Sequence, residues 1–165
     1  MAATLIWRLT GGAANEDPDA SLGGVMSSTA ASSTALNNLF DDVSAAEAST
    51  GATEYRAMDL YNSGDEAATS VEVWFHSQTS SEDTVAGMGE DSVNNPHAAA
   101  ASLDSIVNEI TAPNGISFTE PTSGSTLLLD DIPAGQAARI WIRRVVTPGA
   151  SNTSNDTMTI RAQYA

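Results

Sequence analysis

An all-β sandwich, jelly-roll or immunoglobulin-like in arrangement and with a long N-terminal arm, is what this 165-residue chain predicts. Three observations carry that reading. Short runs alternate apolar and polar residues at the two-residue period of a strand, as in Met58 and Leu60 against Asp59. Gly, Pro and Asn turns punctuate these runs, among them Asn62-Ser63-Gly64-Asp65 and Pro133-Ala134-Gly135. Helical periodicity is weak throughout, which leaves strands as the main building units.

Thr4–Thr10 reads as a strand with Leu5, Trp7 and Leu9 on one face. Gly11–Thr34 has no sustained period; its paired glycines, its Asp17-Pro18 and its Ser/Thr/Ala-rich run read as an arm or long loop. Residues 1–35 are therefore expected to form a strand plus extended arm, and residues 36–165 the sandwich domain. Leu22, Val25 and Met26 are the arm's large apolar anchors. They are too few to offset the roughly 1–2 kcal/mol per residue that ordering a backbone costs. The arm is thus expected to be mobile in the free protein, and its deletion to leave most of the sandwich folded.

Leu36, Leu39, Phe40 and Val43 open the compact region, and Ala45–Thr53 reads as a small-residue turn. Strands are expected at Glu54–Tyr61, Val71–Phe75, Ile116–Phe118, Thr126–Leu129, Ala138–Val146 and Thr157–Tyr164. Ser77–Ala100 is polar and acidic and reads as largely irregular, with Thr84–Met88 a candidate short strand. Leu103–Ile110 fits a helical turn or a strand equally well. Ser44–Ser49 and His97–Ala101 are candidates for brief helices.

Composition narrows the function classes. Six arginines supply all the basic charge against 21 carboxylates, for a formal net charge of −15. Such a surface repels nucleic-acid phosphates and anionic membranes, so neither is an expected partner. The absence of Cys removes disulfides and thiolate chemistry. No apolar run approaches the ~20 residues of a membrane span. MAATLIWRLTGG has no basic leader region, so synthesis in the cytoplasm without an export address is expected.

Enzyme signatures are sparse, and no catalytic residue, metal or cofactor is assigned. His76 and His97 lie far apart, without a Gly-x-Ser-x-Gly elbow or a phosphate-binding loop. The acidic pairs Asp41–Asp42, Glu82–Asp83, Glu90–Asp91 and Asp130–Asp131 read as solvated turns. Asp17-Pro18-Asp19-Ala20-Ser21 begins like a calcium loop but has Ser28 where the closing Glu belongs.

The tryptophans and arginines point to contact instead. In LLDDIPAGQAARIWIRRVV, Ile140 and Ile142 share one face; Arg139, Trp141 and Arg143 share the other. Trp74 lies opposite Val71, Val73 and Phe75, and Arg161 opposite Met158, Ile160 and Ala162. Trp and Arg are enriched in interface hot spots. The candidate interface set is therefore Trp7, Arg8, Leu22, Val25, Met26, Trp74, Arg139, Trp141, Arg143 and Arg161. Cover of the indoles by the chain's own N-terminal loop is an equally weighted reading.

Three stretches resemble small structural proteins of tailed bacteriophages. The first is Trp7-Arg8-Leu9, then Gly11-Gly12-Ala13-Ala14-Asn15 and Ser21-Leu22-Gly23-Gly24. The second is Leu39-Phe40-Asp41-Asp42-Val43, then Glu47-Ala48, Gly51, Glu54-Tyr55-Arg56 and Asn62. The third is Ile132-Pro133-Ala134-Gly135-Gln136 leading into Ile140-Trp141-Ile142-Arg143-Arg144. The resemblance implies a virion component with a β-sandwich or jelly-roll fold, foremost a head decoration (cement) protein on the outer capsid surface. Its implied partners are the major capsid protein and further copies of itself, a trimer being favoured. The alternative is a tail, baseplate or head-fibre component that binds host carbohydrate through exposed Trp74 and Trp141.

Overall fold

The computed structural model describes residues 2–165. It is nearly all β. The strands are β1 (Leu5–Thr10), β2 (Gly23–Ala30), β3 (Ala52–Asn62), β4 (Glu72–Ser77), β5 (Thr84–Glu90), β6 (His97–Ala98), β7 (Ser102–Ser105), β8 (Leu127–Leu128), β9 (Gln136–Val146) and β10 (Thr159–Gln163). A short α-helix, α1 (Ala45–Thr50), precedes β3, and a single 3-10 turn spans Pro18–Ala20. A seven-stranded antiparallel sheet runs β5-β9-β3-β1-β2-β7, with β6 also on β9; a smaller sheet runs β10-β4-β8.

The two sheets share one apolar core. Met58, Leu60, Ile140 and Ile142 of the large sheet meet Val73 and Phe75 of the small one, with Val71, Leu129 and Ile132 closing the end. Strand alternation dictates this arrangement: β3 and β9 pair with Met58 opposite Ile140, so their even-numbered residues share a face. The same register puts Asp59 opposite Arg139, Ala57 opposite Trp141 and Tyr55 opposite Arg143 on the other face.

That second face is not open to solvent. Trp141, Ala57 and Ile106 form a second buried cluster, lined by Leu22, Tyr55, Ile116 and Phe118. The chain between β7 and β8 folds back over the sheet as a strap, bonded through Ile106 N–H to Leu22 C=O and through the Met88–Thr119 bridge. Gly87 and Gly89 of β5 make room for it. A Cβ at Gly89 would lie 2.5 Å from Ile116 Cγ2 and from Ser117 O.

The segment expected to be a mobile arm is folded into the sheet. β2 lies within it, pairing with β1 on one side and β7 on the other. Its order comes from hydrogen bonds, which is why a count of apolar anchors missed it. Ser21 Oγ accepts from Thr10 N–H at 2.9 Å and donates to Ala57 C=O at 2.6 Å, while Thr10 Oγ1 accepts from Gly23 N–H at 3.0 Å. Asn15 Nδ2 donates to Thr10 C=O at 2.6 Å. Gly11 and Gly23 supply the positive φ values of 95° that let this segment pass close to its own backbone.

Other local expectations divide. α1 falls inside Ser44–Ser49 plus one residue, held by a capping box between Ser44 and Glu47. Thr84–Met88 is indeed strand, and longer than expected. His97–Ala101 is not helical: His97 and Ala98 pair with β9. Ile116–Phe118 is strap, with an isolated bridge beside it at Thr119.

Candidate functional site

The predicted interface residues are distributed in depth. Trp141 is 2% exposed and Arg139 fully buried; Trp74 and Met26 are buried as well. Trp7, Arg8, Leu22, Val25 and Arg143 are half-buried, and Arg161 alone is exposed. Trp141, Arg139, Trp74 and Met26 are therefore not a contact surface of this fold. Trp141 lies beneath Gly23, whose added Cβ would sit 3.2 Å from the indole, so for Trp141 cover by the N-terminal segment is the reading that holds.

The arginines of the large sheet do structural electrostatics. Asp59 accepts from Arg139 Nε at 2.6 Å and Nη2 at 2.9 Å, and His97 Nε2 lies 3.3 Å from the same carboxylate. Arg139 Nη2 also donates to Gly24 C=O of β2 at 2.9 Å. One guanidinium thus joins β9, β3 and β2, using the planar fork that suits Arg to carboxylates. His97 Nδ1 lies 3.0 Å from Ala98 O, so both its ring nitrogens face oxygen partners and neither is offered to a substrate. Arg143 lies 5.1 Å from the Phe118 ring centre, and Arg8 4.3 Å from that of Tyr61.

A second group of charges lies at the opposite end of β3 and β9. Arg144 Nε donates to Glu54 Oε2 at 2.7 Å, directly across the strand pair, and Arg144 Nη1 donates to Asp41 C=O at 2.6 Å. Arg56 Nη2 donates to Glu109 Oε2 at 2.5 Å and reaches Asp19 at 3.3 Å. Both guanidiniums approach the Phe40 ring, at 5.3 Å for Arg56 and 4.8 Å for Arg144. Burial pushes the Glu54 carboxyl above its ordinary range, with Arg144 opposing.

Glu90 carries a separate perturbation. Burial raises its pKa, the Asn95 side chain opposes, and Asp130 and Asp91 add to the rise. The folded state therefore holds the Glu90 proton more tightly than the unfolded chain does. Its contribution to stability is present at low pH and lost as pH rises through the folded value. Glu90→Gln is expected to raise Tm at pH 7 and to leave it nearly unchanged below about pH 4, where the carboxyl is protonated in both states. Calorimetric melting at the two pH values checks this.

A groove of about 1170 Å³ lies beside the sandwich. Its walls are residues 31–45 and 149–160; Met58, Ala86 and Val146 reach it from the large sheet. The groove borders Ile160 of β10, an edge strand hydrogen-bonded only to β4 among the described strands. Leu36, at 48% exposure, stands on its rim with Asp41, Asp42 and Asp156. An edge strand that begins at a groove holding Leu36, Leu39, Phe40 and Met58 offers a place where an extended segment can be taken up. The sequence signal for this was the apolar set Leu36, Leu39 and Phe40, which was read only as the start of the core. Comparison with protein-family models, with curated proteins and with solved structures returns no match.

Proposed function

We propose that this chain is a non-enzymatic virion module, a head decoration (cement) protein that binds the outer capsid surface of a tailed phage and bridges its subunits. The observation that carries the reading is the groove with its unpaired β10 edge, a surface suited to grasping a neighbouring chain. The charge distribution supports an outward position. Arg56, Arg139 and Arg144 are buried against carboxylates, so the surface left to solvent is strongly acidic and unsuited to face packaged DNA. Of the three stretches, Trp7–Leu9 lies on β1, Glu54–Arg56 on β3 and Ile140–Arg144 on β9, adjacent strands of the large sheet, while Leu39–Val43 lines the groove. The major capsid protein is the partner on this reading, with self-association to a trimer at the capsid joints.

Burial of Trp74 and Trp141 withdraws the aromatic platforms on which a carbohydrate-binding tail or baseplate role rested. Reconstitution tests the proposal. Bare heads incubated with the protein should gain density on their outer surface. Leu36→Asp, which places a charge on the groove rim, should weaken that binding by about tenfold or more while leaving the circular dichroism spectrum unchanged. Binding to tails but not to heads would overturn the assignment, and unaltered head binding by Leu36→Asp would remove the groove from it.

A further inference from the structure

Three carboxylates from distant parts of the chain converge beside the groove. Asp41 comes from the loop ahead of α1, Glu54 from β3 and Glu109 from the strap, and one oxygen of each lies within 4.8 Å of the others. The two arginines among them each engage a single oxygen per carboxylate. Arg144 Nη2 lies 2.6 Å from Glu54 Oε2 and 3.3 Å from Asp41 Oδ1, and Arg56 Nη2 lies 2.5 Å from Glu109 Oε2. Glu54 Oε1 is buried on a side chain only 1% exposed and takes no hydrogen bond from any described residue.

The charges are unequal as well. Among the described residues, the buried Glu54 and the partly exposed Asp19, Asp41 and Glu109 face Arg56 and Arg144, an excess of two negative charges when all four carboxyls are ionised. A water molecule could hydrogen-bond to Glu54 Oε1 but would leave the charge in place. A single divalent cation would answer both needs.

We propose that Asp41, Glu54 and Glu109 form a binding site for a hard divalent cation, calcium by preference, in which the unpartnered Glu54 Oε1 is one of the ligands. An all-oxygen donor set with no imidazole or thiolate selects against zinc and copper. Calcium binds oxygens at ~2.3–2.6 Å, so two ligands on opposite sides of it stand roughly 5 Å apart. One oxygen from each of the three carboxyls lies within 4.8 Å of the others, inside that span. Two of the donors sit on irregular loops, which suits the flexible coordination of calcium better than the strict octahedron of magnesium. Asp41 and Glu109 are 49% and 35% exposed, which opens a path for the ion and leaves room for water ligands. The bound ion would tie the groove rim at Asp41 to β3 and to the strap.

Isothermal titration of the chelator-treated full chain with CaCl2, with MgCl2 in parallel, tests the site. The expected result is one binding event for calcium, at least tenfold weaker for magnesium, and a Tm that rises with calcium concentration. Asp41→Asn and Glu109→Gln, both at the accessible edge, should each weaken calcium binding at least tenfold. Glu54→Gln should abolish it, and Asp104→Asn, outside the cluster, should leave it unchanged. No heat and no Tm shift at 10 mM calcium (about ten times the weakest Kd that carboxylate modules show) would overturn the proposal. So would calcium binding that is equally strong in Asp41→Asn and Glu109→Gln, which would mark diffuse attraction to an acidic surface.

Discussion

Deletion of residues 2–34 is expected to abolish the cooperative folding of the whole domain, with loss of the strand signal in circular dichroism and of any urea transition. β1 is an interior strand, hydrogen-bonded to β3 on one side and β2 on the other. Its removal strips Leu9 and Met26, which are 2% and 4% exposed, and uncovers Trp141. It also deletes the Thr10–Ser21 hydroxyl pair that satisfies Ala57 C=O, and the Gly24 carbonyl that receives Arg139. Each large apolar side chain taken from burial forfeits roughly 1.5–3 kcal/mol, and each stranded buried polar group about 1–3 kcal/mol more. Together these come to about 6–15 kcal/mol, as much as the ~5–15 kcal/mol that holds an ordinary domain together. A truncated chain that retained the full urea transition would show that the N-terminal segment is an accessory after all.

Asp59→Ala is expected to destabilise the protein by about 3–5 kcal/mol, because it leaves the fully buried Arg139 guanidinium without its counter-charge. The pair itself is a poor source of net stability, since both ions are stripped of water. The double replacement Asp59→Leu with Arg139→Met should therefore recover most of the loss. Urea denaturation of the two single variants and the double variant measures both effects. A double variant as unstable as Asp59→Ala would mean that the bond from Arg139 to Gly24 in β2, and not the ion pair, is the essential contact.

The contrast between these two sites explains what was legible in the sequence. β3, β4, β9 and β10 announce themselves because alternation exposes one face pattern, and Met58, Leu60, Val73, Phe75, Ile140 and Ile142 all reach the core that alternation predicts. The opposite face misled for a physical reason. A charged residue on a strand reads as outward-facing, yet Arg139 and Asp59 on that face, and Arg56 and Glu54 on the core side, are buried because each has a partner tens of residues away. No local period encodes such a partner. β2 was hidden in the same way: its order rests on Thr10, Ser21, Asn15 and two left-handed glycines, none of which contributes to an apolar count. The groove was half legible. Leu36, Leu39 and Phe40 were recognised, but the fold alone shows that Leu36 stays on the rim while Leu39 and Phe40 turn inward.

The position of β9 bears on how the protein is made. It lies between β5 and β3 in the large sheet, yet it is the last strand of that sheet to leave the ribosome. From Asn62 to Val146 roughly 80 residues must be added, on the order of 4–16 s at ~5–20 residues per second. Throughout that interval the long β3 waits without its main partner, a nascent strand at risk of pairing with the wrong chain. Glu54, Arg56 and Asp59, spaced along it, are the kind of charges that disfavour pairing with a wrong chain. In the folded protein Arg139 and Arg144 of β9 neutralise Asp59 and Glu54. The counter-charges that Asp59 and Glu54 meet in the finished sheet are thus carried by the last of its strands to be made.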